Sequence, residues 1–302
     1  MGKFRNATLY TIYILLLLLP CLEISLRILG HKPFQQVEYT IESEPPNCLI
    51  ACDNYGFALA PGEFTVTIND GLNYYTTHTN DSIRYSGESS LIDSLDTKKV
   101  YLFGCSYTYG FGVDDNQILS YHLQNELENV IIKNFGVPGF GTIQSFLQLQ
   151  ELVQNDDVPD IAIINFADFH LDRNVLNASY RRDLYLGFKR SGANVNELMR
   201  SAAIPFVSTG DSIEIQYLKW NDIYSNWIGR EKFAVVNYFQ TKWDDHQNIS
   251  IDKLQASMKL FQWIKELCEK NNIELLVTSI TSNKTTDLFI TDLQEKGINT
   301  LD

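Results

Sequence analysis

The sequence predicts an α/β fold, a three-layer α/β/α sandwich built on a parallel five-stranded sheet. Three observations carry this prediction: short apolar runs typical of strands buried on both faces, helical periodicity in the segments between them, and glycine-rich turns where runs end. The five predicted strands are Val100–Phe103, Val130–Asn134, Ile161–Phe166, Ile273–Ile280 and Ile298–Leu301.

Helix signals lie in the segments between these strands. Asp115 is placed to cap a helix over about residues 117 to 127. Thr142 and Ser250 are placed to cap two more helices. In the helix after Ser250, apolar residues recur at helical spacing, namely Leu254, Met258, Phe261, Ile264 and Cys268. Strand and helix therefore alternate as in a parallel sheet with crossover helices.

Two segments fall outside this alternation. Residues 31–96 are predicted to be a β-rich extension with a hairpin around Asp70-Gly71, a pair typical of a type I′ turn. Residues 171–250 are predicted to be an insertion after the third strand, too long for an ordinary connection, with a second hairpin and three tryptophans. We expect a lid or substrate wall whose tryptophans pack a small core, the alternative being sugar-stacking platforms.

Residues 1–30 are predicted to be a membrane anchor or signal. Lys3 and Arg5 precede an uncharged stretch from Asn6 to Leu22, and residues 7–29 are the segment expected to meet the membrane. The positive residues would keep the N terminus in the cytoplasm, so the main domain, residues 97–302, is expected to be extracytoplasmic. A cleaved signal, which gives a secreted protein, and a buried core helix are the alternatives.

Composition excludes several classes of protein. The chain has 302 residues, 44% of them hydrophobic, and can bury a large core. A net charge of -13 argues against a nucleic-acid partner. No cofactor and no metal site are predicted, because no phosphate-binding glycine loop and no metal-ligand spacing occur. Cys48 and Cys52 are close enough to bridge in an oxidising compartment, and two free thiols are the equal alternative.

A serine stands on the tight turn that follows the first predicted strand. The residues from Gly104 to Gly110 are G-C-S-Y-T-Y-G, so Ser106 leaves the carboxyl end of a buried strand, where open α/β sheets bind ligands. A serine hydroxyl is a weak nucleophile that needs a base and donors for the oxyanion, and its own backbone N–H is one such donor. The alternative is a serine with only a structural role in the turn.

This turn resembles the first motif of the SGNH (GDSL-type) hydrolase superfamily, G-D-S-x-[ST]-x-G, with Cys105 in place of the usual aspartate. The residues from Asn134 to Gly141 resemble the second motif. The resemblance covers about residues 98 to 302 and implies an SGNH/flavodoxin-like sheet. It further implies that Ser106 is the nucleophile and that the N–H of Gly139 is an oxyanion donor. A glycine required only by the backbone conformation is the alternative for Gly139.

The segment after the third strand departs from the superfamily, which has G-x-N-D there with the asparagine as a third oxyanion donor. The closest register places Asp168 at that position, and an ionised carboxylate would repel an oxyanion. His170, Arg173 and Asn174 resemble a His-x-x-Arg-Asn variant of membrane-anchored SGNH-like proteins of bacterial envelopes. This resemblance implies that His170 is a donor near the site, and a surface or capping histidine is the alternative.

The Asp-x-x-His pair that supplies the base in the superfamily is missing before Asp302. A chain truncated at its C terminus is the explanation we expect. A base from elsewhere and a protein that is not catalytic are the two alternatives. His246, beside Asp244 and Asp245, is the candidate for a base from elsewhere, with a solvated loop charge as its other interpretation.

The function implied by the resemblance is two-step acyl transfer by a serine esterase or O-acyltransferase. The expected substrate is an ester, in particular an acylated carbohydrate of the cell envelope. The alternative is a non-catalytic envelope protein that uses the same groove to bind a glycan or a partner.

Overall fold

The computed structural model describes residues 2–36, 40–69, 71–88, 97–189, 195–210, 212–249 and 252–301. The chain divides into two compact units. The smaller unit comprises Met1–Glu38 and Tyr224–Ser250, and the larger unit comprises Tyr39–Ile223 and Ile251–Asp302.

The described part of the chain holds the following strands. They are β1 Ile41–Glu44, β2 Leu49–Cys52, β3 Gly56–Leu59, β4 Gly62–Ile68, β5 Leu72–His78, β6 Lys98–Phe103, β7 Val130–Asn134, β8 Ile161–Phe166, β9 Ala203–Thr209, β10 Ile213–Lys219, β11 Glu274–Ser279 and β12 Asn299–Leu301. The α-helices are α1 Gly2–Ile28, α2 Ser106–Tyr109, α3 Leu119–Glu126, α4 Thr142–Gln154, α5 Phe169–Asn174, α6 Ala178–Lys189, α7 Val195–Leu198, α8 Ala234–Ile249, α9 Lys253–Lys270 and α10 Lys284–Glu295. Two 3-10 turns occupy Asp115–Gln117 and Trp220–Asp222.

The central sheet of the larger unit has five strands in the order β12-β11-β8-β6-β7. All four pairings are parallel, with Val100 opposite Ile161 and Ile132 opposite Val100 on its other side. Taken in chain order this is the flavodoxin-like order 2-1-3-4-5. The predicted α/β/α fold and its five strands are confirmed.

Both faces of this sheet are covered, which is why its strands are apolar runs and not alternating ones. One face packs against α4, α5, α9 and α10 through a cluster that contains Phe103, Ile164, Phe166, Phe261 and Phe289. The other face, with Leu102 and Ile132, packs against Leu123 of α3. Because β6 lies between β7 and β8, the carboxyl ends of these three strands meet at one edge of the sheet.

The extension forms antiparallel structure, as predicted. Strands β1, β4 and β5 form a three-stranded sheet, and β2 pairs with β3. The β4–β5 hairpin pairs Ile68 with Leu72, although Asp70 of its turn lies outside the described residues. The second predicted hairpin is confirmed as β9 and β10, whose turn includes Asp211, also outside the described residues.

The predicted helix caps need correction. Asp115 belongs to the 3-10 turn and not to an α-helix cap, because its carboxylate is 2.9 Å from Arg84 Nε and accepts from Thr77 N–H. Thr142 is the first residue of α4, and a distant side chain, Asn174 Oδ1, accepts from Ile143 N–H at 3.1 Å. The cap of α9 is a different residue from the predicted one: Asp252 accepts from Gln255 N–H at 2.9 Å, whereas Ser250 lies outside the described residues.

The smaller unit contains α1 and α8. The carboxylate of Glu23 in α1 accepts from the N–H groups of Ala234 at 3.0 Å and Val235 at 2.8 Å, the first turn of α8. An acidic side chain there satisfies donors that a helix leaves unpaired at its N terminus. Among the described helices, none is long and apolar enough to span a membrane. The predicted membrane attachment and extracytoplasmic location stay predictions.

Candidate functional site

Ser106 is the first residue of α2, three residues beyond Phe103, the last residue of β6. Its side chain is partly exposed, so the hydroxyl is not sealed in the core. Among the described residues no side chain forms a hydrogen bond with Ser106 Oγ, and its backbone N–H has no acceptor there either. The serine therefore stands at the carboxyl edge of the sheet, and its role as the nucleophile stays a prediction.

The turn that presents Ser106 is held from both neighbouring strands through Thr108. Asn165 of β8 donates from Nδ2 to Thr108 Oγ1 at 2.8 Å, and Asn134 of β7 donates from Nδ2 to the Thr108 carbonyl at 2.7 Å. The space is so tight that a Cβ added to Gly104 would lie 2.2 Å from Thr108 Oγ1. The G-C-S-Y-T-Y-G segment thus needs a glycine and a threonine at these places for its own geometry.

The loop after β7 packs directly onto this turn. Val137 N–H donates to the Gly104 carbonyl at 3.1 Å, and Gly136 N–H donates to Asn134 Oδ1 at 2.9 Å. A Cβ added to Gly136 would lie 2.4 Å from Tyr109 N, a backbone atom that cannot swing away. The two segments that resemble the first and second motifs are therefore joined by backbone contact.

Gly139 lies further along the same loop with φ of 93°, a conformation that favours glycine. The Tyr180 hydroxyl of α6 donates a short hydrogen bond to the Gly139 carbonyl. Burial raises the pKa of Tyr180 to about 12, so this hydroxyl keeps its proton at neutral pH. The Gly139 N–H has no acceptor among the described residues.

The segment after β8 clamps this loop from the other side. Arg173 Nη1 donates to the Phe140 carbonyl at 2.7 Å, and a Cβ added to Gly141 would lie 2.8 Å from Arg173 Cβ. Asn174 donates to Ser257 Oγ at 3.0 Å and accepts from the start of α4. Arg173 and Asn174 of the His-x-x-Arg-Asn segment thus position the loop after β7 and the start of α4. The sequence did not indicate this structural role.

His170, the first residue of that segment, lies in the core. Its side chain is 1% exposed and packs edge-on against the rings of Phe166 and Phe169. Both ring nitrogens are without a hydrogen-bond partner among the described residues, and burial holds the pKa of His170 well below its usual value. A surface or capping histidine is the wrong interpretation because the ring is buried, and His170 is not among the residues that line the neighbouring cavity.

Asp168 and His246 are the two remaining candidate residues. Asp168 precedes α5 and accepts from Thr281 Oγ1 at 3.3 Å. His246 is an exposed residue of α8, which belongs to the smaller unit, whereas Ser106 belongs to the larger one. The hydrogen bonds of the described residues therefore connect neither of them to Ser106.

Gly139 is part of the wall of a cavity of about 400 Å³. The cavity walls come from the extension, from the loop after β7, from α5 and from α6. The residues of the wall include Leu59, Val66, His78, Tyr109, Leu184 and Gly187. Ser106 does not line this cavity, although Tyr107 next to it stacks on Phe169, which does. The cavity thus lies beside the serine turn and shares Gly139 with the candidate oxyanion site.

The open alternatives for cysteine and tryptophan are resolved in part. Cys48 and Cys52 are both free thiols, and burial raises the pKa of Cys48. Trp220 is buried in the larger unit against Phe188, whereas Trp227 and Trp243 are partly exposed in the smaller unit. The tryptophans of the insertion do not share one core.

Several residues of the site escaped prediction. Asn165 sits inside an apolar strand, Tyr180 has no motif around it, and His78 lies far upstream in the extension. The one available signal was a polar residue, Asn165, at the end of a run that is otherwise apolar, since buried polar groups require partners.

Comparison with known proteins gives weak likenesses. No protein-family model and no curated protein matches this chain. Among solved structures, esterase AlinE4, described as an SGNH-hydrolase family esterase, is 14% identical, with a TM-score of 0.36 over 69% of this chain and 77% of that chain. One variant of AlinE4 gives the same values, and another gives a TM-score of 0.25 over 70% and 87% at 14% identity. Similarity at this level bears on neither the activity nor the substrate of this chain.

Proposed function

We propose that this protein is a serine-dependent ester hydrolase or acyltransferase. Ser106 is the nucleophile, and the backbone N–H groups of Ser106 and Gly139 are the oxyanion donors. One observation carries the proposal: the two loops that hold these residues are bonded to each other through Val137 N–H and the Gly104 carbonyl, while both N–H groups lack an acceptor among the described residues. Preorganised donors of this kind are what acyl transfer requires.

The proposed reaction has two steps. Ser106 Oγ loses its proton to a base as it bonds to the ester carbonyl carbon, and the carbonyl oxygen becomes an oxyanion held by the two N–H groups. The C–O bond to the alcohol then breaks, the alcohol takes a proton, and an acyl-serine is left. Water or an acceptor hydroxyl attacks the acyl-serine by the same route, which regenerates the serine.

The alternative function is a non-catalytic protein that binds a glycan or a partner at the same edge of the sheet. A specific observation favours it. No histidine or carboxylate of the described residues is in hydrogen-bond contact with Ser106 Oγ, and a serine without a base is a poor nucleophile. The reactivity of Ser106 therefore separates the two functions.

A fluorophosphonate probe applied to the full chain tests the proposal. We expect covalent labelling that is lost in Ser106→Ala and kept in Ser201→Ala, a matched change at an exposed serine. Labelling of neither the unaltered protein nor the control would overturn the hydrolase and favour the binding protein. Intact mass of the labelled peptide assigns the modified residue.

The natural substrate is proposed to be an acylated carbohydrate. The test is hydrolysis of an octanoylated oligosaccharide, compared with hydrolysis of ethyl octanoate at equal concentration. A higher kcat/KM for the oligosaccharide supports the carbohydrate, and equal values would count against it.

A further inference from the structure

Gly139 lines a cavity whose other wall residues take no part in the acyl-transfer steps proposed for Ser106. Most of its lining is apolar and comes from parts of the chain that lie outside the five-stranded sheet. Leu59 of β3 and Val66 of β4 are each 1% exposed, and Leu184 and Phe188 of α6 are 7% and 6% exposed. The extension and the insertion thus both supply apolar residues to the wall of one cavity.

The polar groups deep in this space satisfy one another. His78 Nδ1 is 2.8 Å from the Ala60 carbonyl, so Nδ1 carries the proton, and Nε2 accepts from the Tyr109 hydroxyl at 2.9 Å. Thr76 Oγ1 lies 2.9 Å from the same tyrosine oxygen. Burial lowers the pKa of His78 to about 4, which leaves the ring neutral at pH 7. The His78–Tyr109 pair therefore presents no charge to an ionic ligand.

The charged residues around the cavity are engaged elsewhere. The Arg173 guanidinium donates to the Phe140 carbonyl and lies 4.3 Å from the Phe169 ring centre. Asp172 is 2.7 Å from Lys253 Nζ, and Asp183 is 3.0 Å from Arg182 Nη2. Such surroundings favour an apolar ligand over an ionic one, since an ionic group would lose its hydration without gaining a free charged partner.

The position of the cavity relates it to the proposed reaction. Gly139 forms part of its wall, and a Cβ added to Gly139 would lie 3.3 Å from Phe57 Cζ and 3.7 Å from Leu184 Cδ1. A carbonyl oxygen held by the Gly139 N–H would therefore place a substituent of the same ester beside the cavity. A volume of about 400 Å³ is within the range of small-molecule sites.

We infer that this cavity binds an unbranched aliphatic acyl chain of the ester substrate. This inference rests on the proposed esterase function and gives it a substrate class, an ester of a medium-chain fatty acid. The walls of α6 and the extension exclude water from the chain, while the ester carbonyl stays at the edge of the sheet. Preference for chain length then originates in elements outside the central sheet.

The test uses the full chain and two variants that narrow the cavity. Leu184→Trp enlarges a buried side chain of α6, and Gly187→Leu adds a side chain where an added Cβ meets no atom within 4 Å. Leu288→Trp makes the same change as the first variant at a 58% exposed position of α10 that is not part of the cavity wall. Circular dichroism identifies which variants are folded. One folded cavity variant is enough for the test.

The first experiment measures kcat/KM for hydrolysis of p-nitrophenyl esters from acetate to decanoate. We expect kcat/KM to rise roughly 10-fold for every two methylene groups until the cavity is full, because each methylene leaves water. The ratio of decanoate to acetate kcat/KM should fall at least about 10-fold in the cavity variants and stay unchanged in Leu288→Trp. An unchanged ratio in the folded cavity variants overturns the inference. A chain-length rise confined to alkyl acetates, from ethyl to decyl, would also overturn it, because the alcohol side would then occupy the cavity.

The binding arm needs no catalysis. Isothermal titration calorimetry with 1-octanol should show binding to the unaltered protein and to Leu288→Trp, and binding at least about 10-fold weaker to the cavity variants, with 1-butanol as the short-chain comparison. Octanol binding without any ester turnover would support the aliphatic site while the proposed esterase fails. Ester turnover with neither octanol binding nor a chain-length preference would overturn the aliphatic site while the esterase stands.

Discussion

Asn165 Nδ2 donates to Thr108 Oγ1 across 2.8 Å, a contact that ties the end of β8 to the helical turn behind Ser106. The same asparagine accepts a short hydrogen bond from the Thr278 hydroxyl of β11. Two neighbouring strands, β8 and β11, are therefore linked to α2 by consecutive side-chain hydrogen bonds that end at the serine turn.

A double-mutant cycle tests this contact. Thr108→Val should lower the free energy of unfolding by about 1–3 kcal/mol, because it leaves the buried Asn165 amide without its acceptor. Combined with Asn165→Ala, the loss should be less than the sum by about 0.5–3 kcal/mol. Urea denaturation measures each value. Thr291→Val, at an exposed site of α10, is the control with a small effect, and additive losses at 108 and 165 would show that the two residues are not coupled.

Gly136 lies where the loop after β7 approaches the serine turn, and Gly187 of α6 is a matched control for its substitution. An added Cβ at Gly136 would lie 2.4 Å from Tyr109 N, whereas at Gly187 it meets nothing within 4 Å. We expect Gly136→Ala to destabilise the protein by about 1–3 kcal/mol or more. Gly187→Ala should be neutral or stabilising by up to about 1 kcal/mol, because alanine favours a helix. Thermal unfolding compares them, and equal melting temperatures would contradict the described packing.

Tyr180→Phe tests the positioning of Gly139. Loss of the hydroxyl that holds the Gly139 carbonyl should lower kcat for acyl turnover about 10-fold with little change in KM, less than the 100- to 1000-fold cost of removing an oxyanion donor. Tyr55→Phe removes a similar hydrogen bond, to Glu151, away from the cavity and should leave kcat unchanged. A change in KM without a change in kcat, or equal effects on kcat in both variants, would show that the Tyr180 hydroxyl does not position Gly139 for the reaction.

His78 predicts a pH-dependent stability. The pKa of His78 is lowered by burial from 6.5 to about 4, so between these pH values the unfolded chain binds more protons than the folded one. The free energy of unfolding should therefore fall as pH drops from about 6.5 to about 4, by up to about 3 kcal/mol from this residue. The buried His170, whose pKa is lowered too, acts in the same direction.

Urea titrations at pH 7, 6 and 5 measure the slope of the free energy of unfolding against pH. His78→Gln cannot take up the proton and should show a shallower slope than the unaltered protein, although it is less stable at pH 7. His122→Gln, at an exposed site of α3, should keep the full slope. A slope that His78→Gln does not change would show that His78 is not the titrating group.

The sequence by itself determined the central sheet of this protein, its flavodoxin-like class and the places of Ser106 and Gly139 on the turns after two neighbouring strands. It could do so because these features follow from local patterns: apolar runs bounded by glycine turns lead to buried strands, and the carboxyl ends of parallel strands share an edge.

Only the tertiary structure decided what surrounds that edge. Tyr180 reaches Gly139 across 41 residues and Asn165 reaches Thr108 across 57, and neither pairing has a local signal. The same reason explains why His170 is buried, and why the wall of the cavity unites residues as distant in the chain as Val66 and Leu184. Such contacts depend on how remote segments pack, which periodicity and turn residues do not encode.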